Sequence, residues 1–508
     1  MSLKINEISD VITNQIKDIN LSYDIYEQGI VISVGDGIAY VYGMKNCKYG
    51  ELVEFENKSK GIVLNIEPTV IGVIILGSMN DIKEKSIVKR TNEVAMVKAS
   101  SKLLGRVINP LGQTIDEMSK DNLNADNKYV QRPIENSAPG IIDRKPITRP
   151  LLTGILAVDS MVPIGKGQRE LIIGDKQTGK TTMAIDTIIN QKDKNVICIY
   201  VAIGQKNSNV AMVTQTLKKY DALKYTTIVN ASASDPAAMQ YIAPYSGCAI
   251  AEYFMYQEHR DVLIIYDDLS KHAMSYRAIS LLLKRPPGRE AYPGDIFYIH
   301  SRLLERAGQL SDEFGGGSIT AIPIIETQDE DISAYIPTNV ISITDGQIHL
   351  DSQLFNAGQK PAINSGLSVS RVGGAAQNVV MKKISSSLRI DLAQYFDLRI
   401  FAQFGSELDD ITKKKIDDGK KLLEILKQDK EQLLDEDSQV IMLYAALNGY
   451  LSNILVKDVI KYTENLVDYI KKSNEYISVN KFKEADRYIE LLDSIIKKYI
   501  KDSDTKNV

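Results

Sequence analysis

The residues of this chain whose types and spacing most directly imply chemistry are 174–181, GDKQTGKT. They satisfy the pattern G-x-x-x-x-G-K-[ST], in which a glycine-rich turn cradles phosphate groups. Gly174 and Gly179 let backbone N–H groups converge on phosphate oxygens, Lys180 brings a point charge to the outer phosphates, and the Thr181 hydroxyl can ligate Mg²⁺. Asp175, Lys176, Gln177, Thr178 and Thr182 complete the expected cradle. A second chemical element follows in DVLIIYDDLS, an apolar strand ending in acid. A carboxylate there can hold a water of a Mg²⁺ shell, and Asp267, the first of the pair, is the better placed.

A phosphate loop works only between a buried strand and a helix N-terminus, and the surrounding sequence supplies both. ELII precedes the loop and TTMAIDTIIN follows it. The runs VICIYVAIG, TTIVNAS, DVLIIYDD and SITAIPIIE are almost continuously apolar, as in a parallel sheet covered on both faces. These fall in a central regime, residues 95–372, read as an α/β nucleotide-binding domain. Residues 25–94 differ. Short β-branched runs such as GIVISVGDGIAYVYG and TVIGVIILGS, broken by turns like Gly35-Asp36-Gly37, predict a small sheet closed into a barrel. From Gly373 to the end the strands stop. LAQYFDLRIFAQF, DGKKLLEILKQ, QVIMLYAALNGYLSNI and EADRYIELLDSIIKKYI read as amphipathic helices of a C-terminal helical domain, followed by a frayed tail, KDSDTKNV.

Ahead of the barrel, in residues 1–24, Ile5, Ile8, Ile12, Ile16 and Ile19 share one stripe of a helix. That helix either binds a partner or packs on its own domain. The chain has 508 residues, 44% of them hydrophobic, enough for several cores. Lys plus Arg number 61 against 65 acids, a net charge of −4, which excludes the basic footprint of a nucleic-acid binder. Cys47, Cys198 and Cys248 are widely spaced and read as small buried hydrophobes in a reducing compartment. No apolar run reaches signal-peptide or membrane-spanning length, so a cytoplasmic protein that meets membranes only through partners is expected.

The motif GDKQTGKT together with AIDTIINQK, YVAIGQK, YDDLSKHAMSYRAISLLLKRPPGREAYPGDIFYIHSRLLERA, AYIPTNVISITDGQI and PAINSGLSVSRVGGAAQ closely resembles the alpha branch of the F-type (H⁺-transporting) ATP synthase alpha/beta family. The resemblance extends from the first helix to about residue 450. It implies a six-stranded N-terminal β-barrel, a RecA-like phosphate-loop domain and a C-terminal α-helical bundle. It further implies an alternating ring of three alpha and three beta subunits around a gamma rotor, with a delta subunit at the N-terminal helix. Through a membrane sector this ring would be peripheral on the cytoplasmic side of the cell membrane. In that family alpha holds ATP or ADP with Mg²⁺ and beta catalyses. Where the catalytic branch uses a Glu to polarise water, this chain has Gln205, a very poor base. Arg371, in SVSRVGGAAQ, resembles an arginine finger reaching a neighbouring beta site, and Ser342 matches an interface position beside it.

Departures from the family pattern are Lys176 in the loop and Lys360 before PAINSG, both where Arg is common. In ILKQDKEQLL, Gln428 matches one of two Gln residues that approach the adenine, and Lys430 replaces the other. The tract of residues 466–500 is unusually rich in Lys, Ile and Tyr, through drift on solvated helices, an altered rotor contact or an extra partner. Two alternatives stay open: a paralogous rotary ATPase with another mechanical output, and, more distantly, a hexameric RNA-translocating ATPase.

Overall fold

The computed structural model describes residues 27–77, 81–116, 129–404, 409–473 and 485–504. The expected N-terminal helix lies outside them. The protein divides into two compact units at Val94/Ala95.

In the first unit, β1 (Gln28–Gly35), β2 (Ile38–Tyr42), β3 (Glu51–Phe55), β4 (Lys60–Ile66), β5 (Val70–Leu76) and β6 (Ile87–Val94) close into a barrel in the order β1-β2-β5-β4-β3-β6. This is the six-stranded barrel expected. Asp36 and Gly37 join β1 to β2 with φ of 49° and 85°. Two positive φ values in a two-residue loop match the right-handed twist of the strands, which is why Asp-Gly stands there. Val31, Val41, Val53, Val63 and Val73 point inward and are fully buried. Arg90 grips the nearly buried Glu51 through Nε at 2.8 Å and Nη2 at 3.0 Å.

The second unit is built on a mostly parallel sheet. A ribbon of β7 (Met96–Ala99) and β9 (Val130–Pro133) flanks it. The sheet itself contains β8 (Val107–Ile108), β10 (Leu171–Gly174), β11 (Val196–Gln205), β12 (Thr226–Ser232), β13 (Asp261–Asp267), β14 (Gly308–Gln309), β15 (Ser318–Glu326), β16 (Gly346–Leu350) and β17 (Val369–Ser370). Its order is β17-β16-β10-β15-β13-β11-β12-β8, with β14 beside β15. Every residue of β10 and β12, and all but the ends of β11, β13 and β15, are buried, as their unbroken apolar runs require.

Among the described residues eight helices cover the sheet or decorate its loops: α1 (Leu156–Met161), α2 (Lys180–Ile189), α3 (Asn207–Lys219), α4 (Ala237–Tyr256), α5 (Leu269–Leu282), α6 (Ile296–Leu304), α7 (Tyr335–Ile343) and α8 (Ser352–Asn356). Inside α4 the buried Glu252 accepts from Arg306 Nε at 2.7 Å, from Asn136 at 3.2 Å and from Arg132 at 3.3 Å. Arg306 and Glu252 are 1% and 0% exposed, so this charge cluster is sealed from water.

The remaining helices are α9 (Val379–Ile384), α10 (Leu388–Phe404), α11 (Asp410–Ile425), α12 (Glu436–Leu447), α13 (Val459–Lys471) and α14 (Ala485–Asp504). The structure corrects two expectations here. Residues 439–454 are not one amphipathic helix. The helix begins at Glu436, behind the Asp435 cap that accepts from Ser438 N, and ends at Leu447. Residues 438–445 are all buried, because α9, α11 and α13 pack around it and leave no solvent face. Nor is the tail unstructured from Lys501, since α14 continues to Asp504. One apolar core runs without a break from the sheet into these helices, from Leu151 to Ile496. Cys47, Cys198 and Cys248 are free and buried, and burial pushes the Cys47 thiol up to about 12. Among the described residues no helix is long and apolar enough to cross a membrane.

Glu252→Ala leaves the Arg306 guanidinium charged in a dry site, and is expected to cost about 3–5 kcal/mol, read as a lower denaturant midpoint for the full-length protein. Replacing both partners by Leu and Met is expected to recover most of that loss.

Candidate nucleotide site

The loop 174–179 leaves the buried end of β10 and turns into α2. A Cβ on Gly174 would meet Leu350 O of β16 at 2.6 Å, so only glycine lets the loop rise this close to the neighbouring strand. Gly179 stands at φ 98° as the cap of α2, with no side chain hydrogen-bonded to the helix start. The first N–H groups of α2 therefore face the cleft without a competing protein cap, as an anion site requires. Lys180 is almost wholly buried and curls over its own loop, donating to Gly174 O at 2.8 Å and to Asp175 O. Burial lowers its pKa, against the pull of Glu326, Asp268, Asp267 and Asp175.

The loop is held by side chains that face away from this cleft. Asp175 accepts from Thr327 Oγ1 at 2.6 Å, from Glu330 N at 3.0 Å and from Ser352 Oγ at 3.4 Å. Burial pushes its carboxyl up, but these bonds outweigh it and hold the pKa low. Asp175 thus ties the loop to β15 and α8. Lys176 is exposed and lies 3.4 Å from Glu326. Gln177, Thr178, Thr181 and Thr182 line the cleft itself.

At the phosphate end, Asp267 collects three donors: Thr181 Oγ1 at 2.8 Å, Tyr200 Oη at 2.7 Å and Gln205 Nε2 at 3.0 Å. Burial and this carboxylate together push the Tyr200 hydroxyl well above its ordinary range. Asp268 caps α5 through Lys271 N at 2.7 Å and pairs with Lys271 Nζ at 2.9 Å; burial raises it to about 6.

The cleft encloses about 750 Å³, within the size range of small-molecule and cofactor sites. Its far end is walled by Ile155, Phe355, Lys360, Pro361 and residues 428–430. Lys360 Nζ lies 4.9 Å from the Phe355 ring centre. The Gln428 amide is committed to the protein: it donates to Gly154 O at 2.7 Å and to Gln432 O, and accepts from Leu156 N at 3.1 Å. Asp186, on α2, accepts from Glu431 N at 3.1 Å, and burial raises it to about 6.

Arg371 and Ser342 are not in this cleft. Both are exposed. Arg371 follows β17, which pairs with Gly346 and Gln347 at the start of β16, and its N–H donates to Asp345 O at 2.8 Å. The phosphate loop instead adjoins Leu350 at the end of β16, about 13 Å along the strand. Among the described residues the Arg371 guanidinium has neither a hydrogen bond nor an ion pair. Ser342 donates to Asn339 O within α7, which leads into the same edge.

Three family profiles match the sequence: the ATP synthase alpha/beta family nucleotide-binding domain over residues 154–370, the beta-barrel domain of the same family over 25–92, and the C-terminal domain of the ATP synthase alpha/beta chain over 377–503. The protein belongs to the ATP synthase alpha/beta family. Proteins named ATP synthase subunit alpha are similar to it over most of their length. That of Acetivibrio thermocellus is 57% identical over 93% of this chain and 92% of the relative, and that of Caldanaerobacter subterraneus is 56% identical with the same coverage. Within this family frame the cleft draws on both the nucleotide-binding and the C-terminal domains. The tract of residues 466–500 lies inside the C-terminal match.

Sequence reasoning assigned no role to Asp186, Phe355 or Lys271, which also line the cleft. Asp186 alone carried a signal: it is the one acid of α2, about one and a half turns beyond the motif.

Asp186 ionises at higher pH in the folded protein than in the unfolded one, where an ordinary Asp titrates near 3.8. The neutral carboxyl therefore stabilises the fold at low pH, and that contribution is lost as pH rises through about 6. Asp186→Asn is expected to stabilise the protein by about 2 kcal/mol at pH 7–8 and by less at pH 5, measured as denaturant midpoints across that range.

Proposed function

We propose that this protein is the nucleotide-holding alpha subunit of an F-type ATP synthase head, retaining Mg-ATP or Mg-ADP at its own cleft and completing a catalytic site on a neighbouring beta subunit. The observation that carries this reading is the environment of Gln205. Hydrolysis needs a carboxylate able to polarise water beside the outer phosphate. Gln205 occupies that end of β11 with a neutral amide, which donates to Asp267 rather than receiving a proton. The acids nearby are engaged: Asp267 by three donors, Asp268 by Lys271, and Glu326 by Lys176.

Mg²⁺ fits this donor set. Among the described residues there is no cluster of three or more acidic, His or Cys side chains to cage a metal. Mg²⁺ bound with a nucleotide needs only one or two protein oxygens, the rest being water and phosphate. Thr181 Oγ1 and the Asp267 carboxylate, 2.8 Å apart, would hold it, and there it would neutralise phosphate charge. Lys180 and the first N–H groups of α2 orient the phosphates.

Arg371 supports the second half of the proposal. A guanidinium without a partner among the described residues, at the opposite end of β16 from its own loop, suits a task on another subunit. It stays charged and contacts two phosphoryl oxygens at once. The beta ring partner, the gamma rotor, the delta subunit and a peripheral position on the cytoplasmic face of the cell membrane follow from the same assignment. No nucleic-acid partner is proposed.

The isolated subunit is expected to bind Mg-ATP with turnover far below that of the assembled head. In a reconstituted head, Arg371→Ala is expected to lower steady-state hydrolysis by about 10³-fold or more while nucleotide binding by this subunit is unchanged. Turnover by the isolated subunit on a par with the head, or full activity of the Arg371→Ala head, would overturn the assignment.

A further inference from the structure

The far end of the cleft sets a spent amide beside an ammonium that lines the open space. Asp186 lies six residues beyond Lys180 on α2, about 9 Å along the helix, so it marks the level a base reaches when phosphates rest on the helix start. Glu431 N anchors residues 428–431 to Asp186, bringing Lys430 to that level. Gln428, the one amide there, has spent both N–H groups on Gly154 O and Gln432 O and cannot donate to a base. Lys430 lines the cleft and a side chamber of about 270 Å³ between α2 and α3. Among the described residues its ammonium has neither a hydrogen bond nor an ion pair, and it lies within electrostatic reach of the Asp186 and Glu431 carboxylates.

An ammonium has three donors and no acceptor. Guanine and hypoxanthine present two adjacent acceptors, O6 and N7, whereas adenine sets its N6 amino donor beside N7. Lysine accordingly matches the 6-oxopurine edge, and glutamine, with one donor and one acceptor, matches adenine. We infer that Lys430 is a specificity-determining residue that opens this site to 6-oxopurine nucleotides, so that it takes Mg-GTP or Mg-ITP at least as tightly as Mg-ATP. Phe355 and Pro361 supply apolar faces that any purine can use, so selection falls to Lys430. The inference rests on the cleft being a nucleotide site.

The test is equilibrium dialysis of the full-length protein against radiolabelled ATP, GTP and ITP with Mg²⁺, giving three dissociation constants. The native protein is expected to bind GTP and ITP as tightly as ATP or more so. Lys430→Gln is expected to shift the ATP-to-GTP affinity ratio toward ATP by about fivefold or more. Lys430→Met is expected to weaken GTP binding without strengthening ATP binding. Lys430 is exposed, so neither variant disturbs the core. A native preference for ATP above about fivefold, or a ratio unmoved in Lys430→Gln, overturns the role of Lys430 while leaving the nucleotide site standing. Failure of all three nucleotides to bind the native protein overturns the site itself.

Discussion

The Asp267 carboxylate is the point at which three elements are locked together. Its donors come from the first turn of α2, from the middle of β11 and from the end of β11, while Asp267 itself ends β13. Hydrogen bonds to an ionised acceptor are short and strong, and here they are shielded from water. They fix the start of α2 relative to the strand ends, and so fix the direction in which its free N–H groups face. The phosphate loop, the Thr181 hydroxyl and the neutral amide of Gln205 all inherit their positions from this one group.

Much of this was legible from the sequence, for identifiable reasons. The loop is local: glycine at 174 and 179 is demanded by backbone geometry, and the flanking strand and helix are contiguous with it. The parallel sheet showed through because strands buried on both faces must be apolar at every position. What was illegible depends on distant neighbours. Gln428 has the chemistry of a base reader, yet Gly154 and Leu156, more than 270 residues away, absorb its amide. Asp175 reads as part of the cradle, but β15 and α8 draw its carboxylate aside. Residues 438–445 carry mixed polar and apolar side chains, and only the arrangement of three other helices makes that whole surface interior.

The two ends of the sheet do different work. At the carboxyl ends of β10, β11 and β13 the protein gathers a cleft of donors, acids and apolar walls, the usual location for ligands in open α/β sheets. At the other end of β16 it leaves the Arg371 guanidinium exposed, without a partner among the described residues. A self-sufficient hydrolase would bring both sets of groups to one place. Their separation in a single polypeptide is what gives the subunit reading its physical content.

β16 joins these two ends. Its last residue, Leu350, presses on Gly174 closely enough to exclude a methyl group, and its first residues hold the strand that carries Arg371. A short strand hydrogen-bonded on both sides behaves as a stiff rod. A ligand that bears on Leu350 and shifts β16 would also bear on where Arg371 rests. Linkage is reciprocal, so a neighbour that favours one placement of Arg371 must, by the same free energy, change how tightly this subunit keeps its own ligand. A ligand held in one cleft can in this way act as a mechanical setting for the far edge of the same sheet.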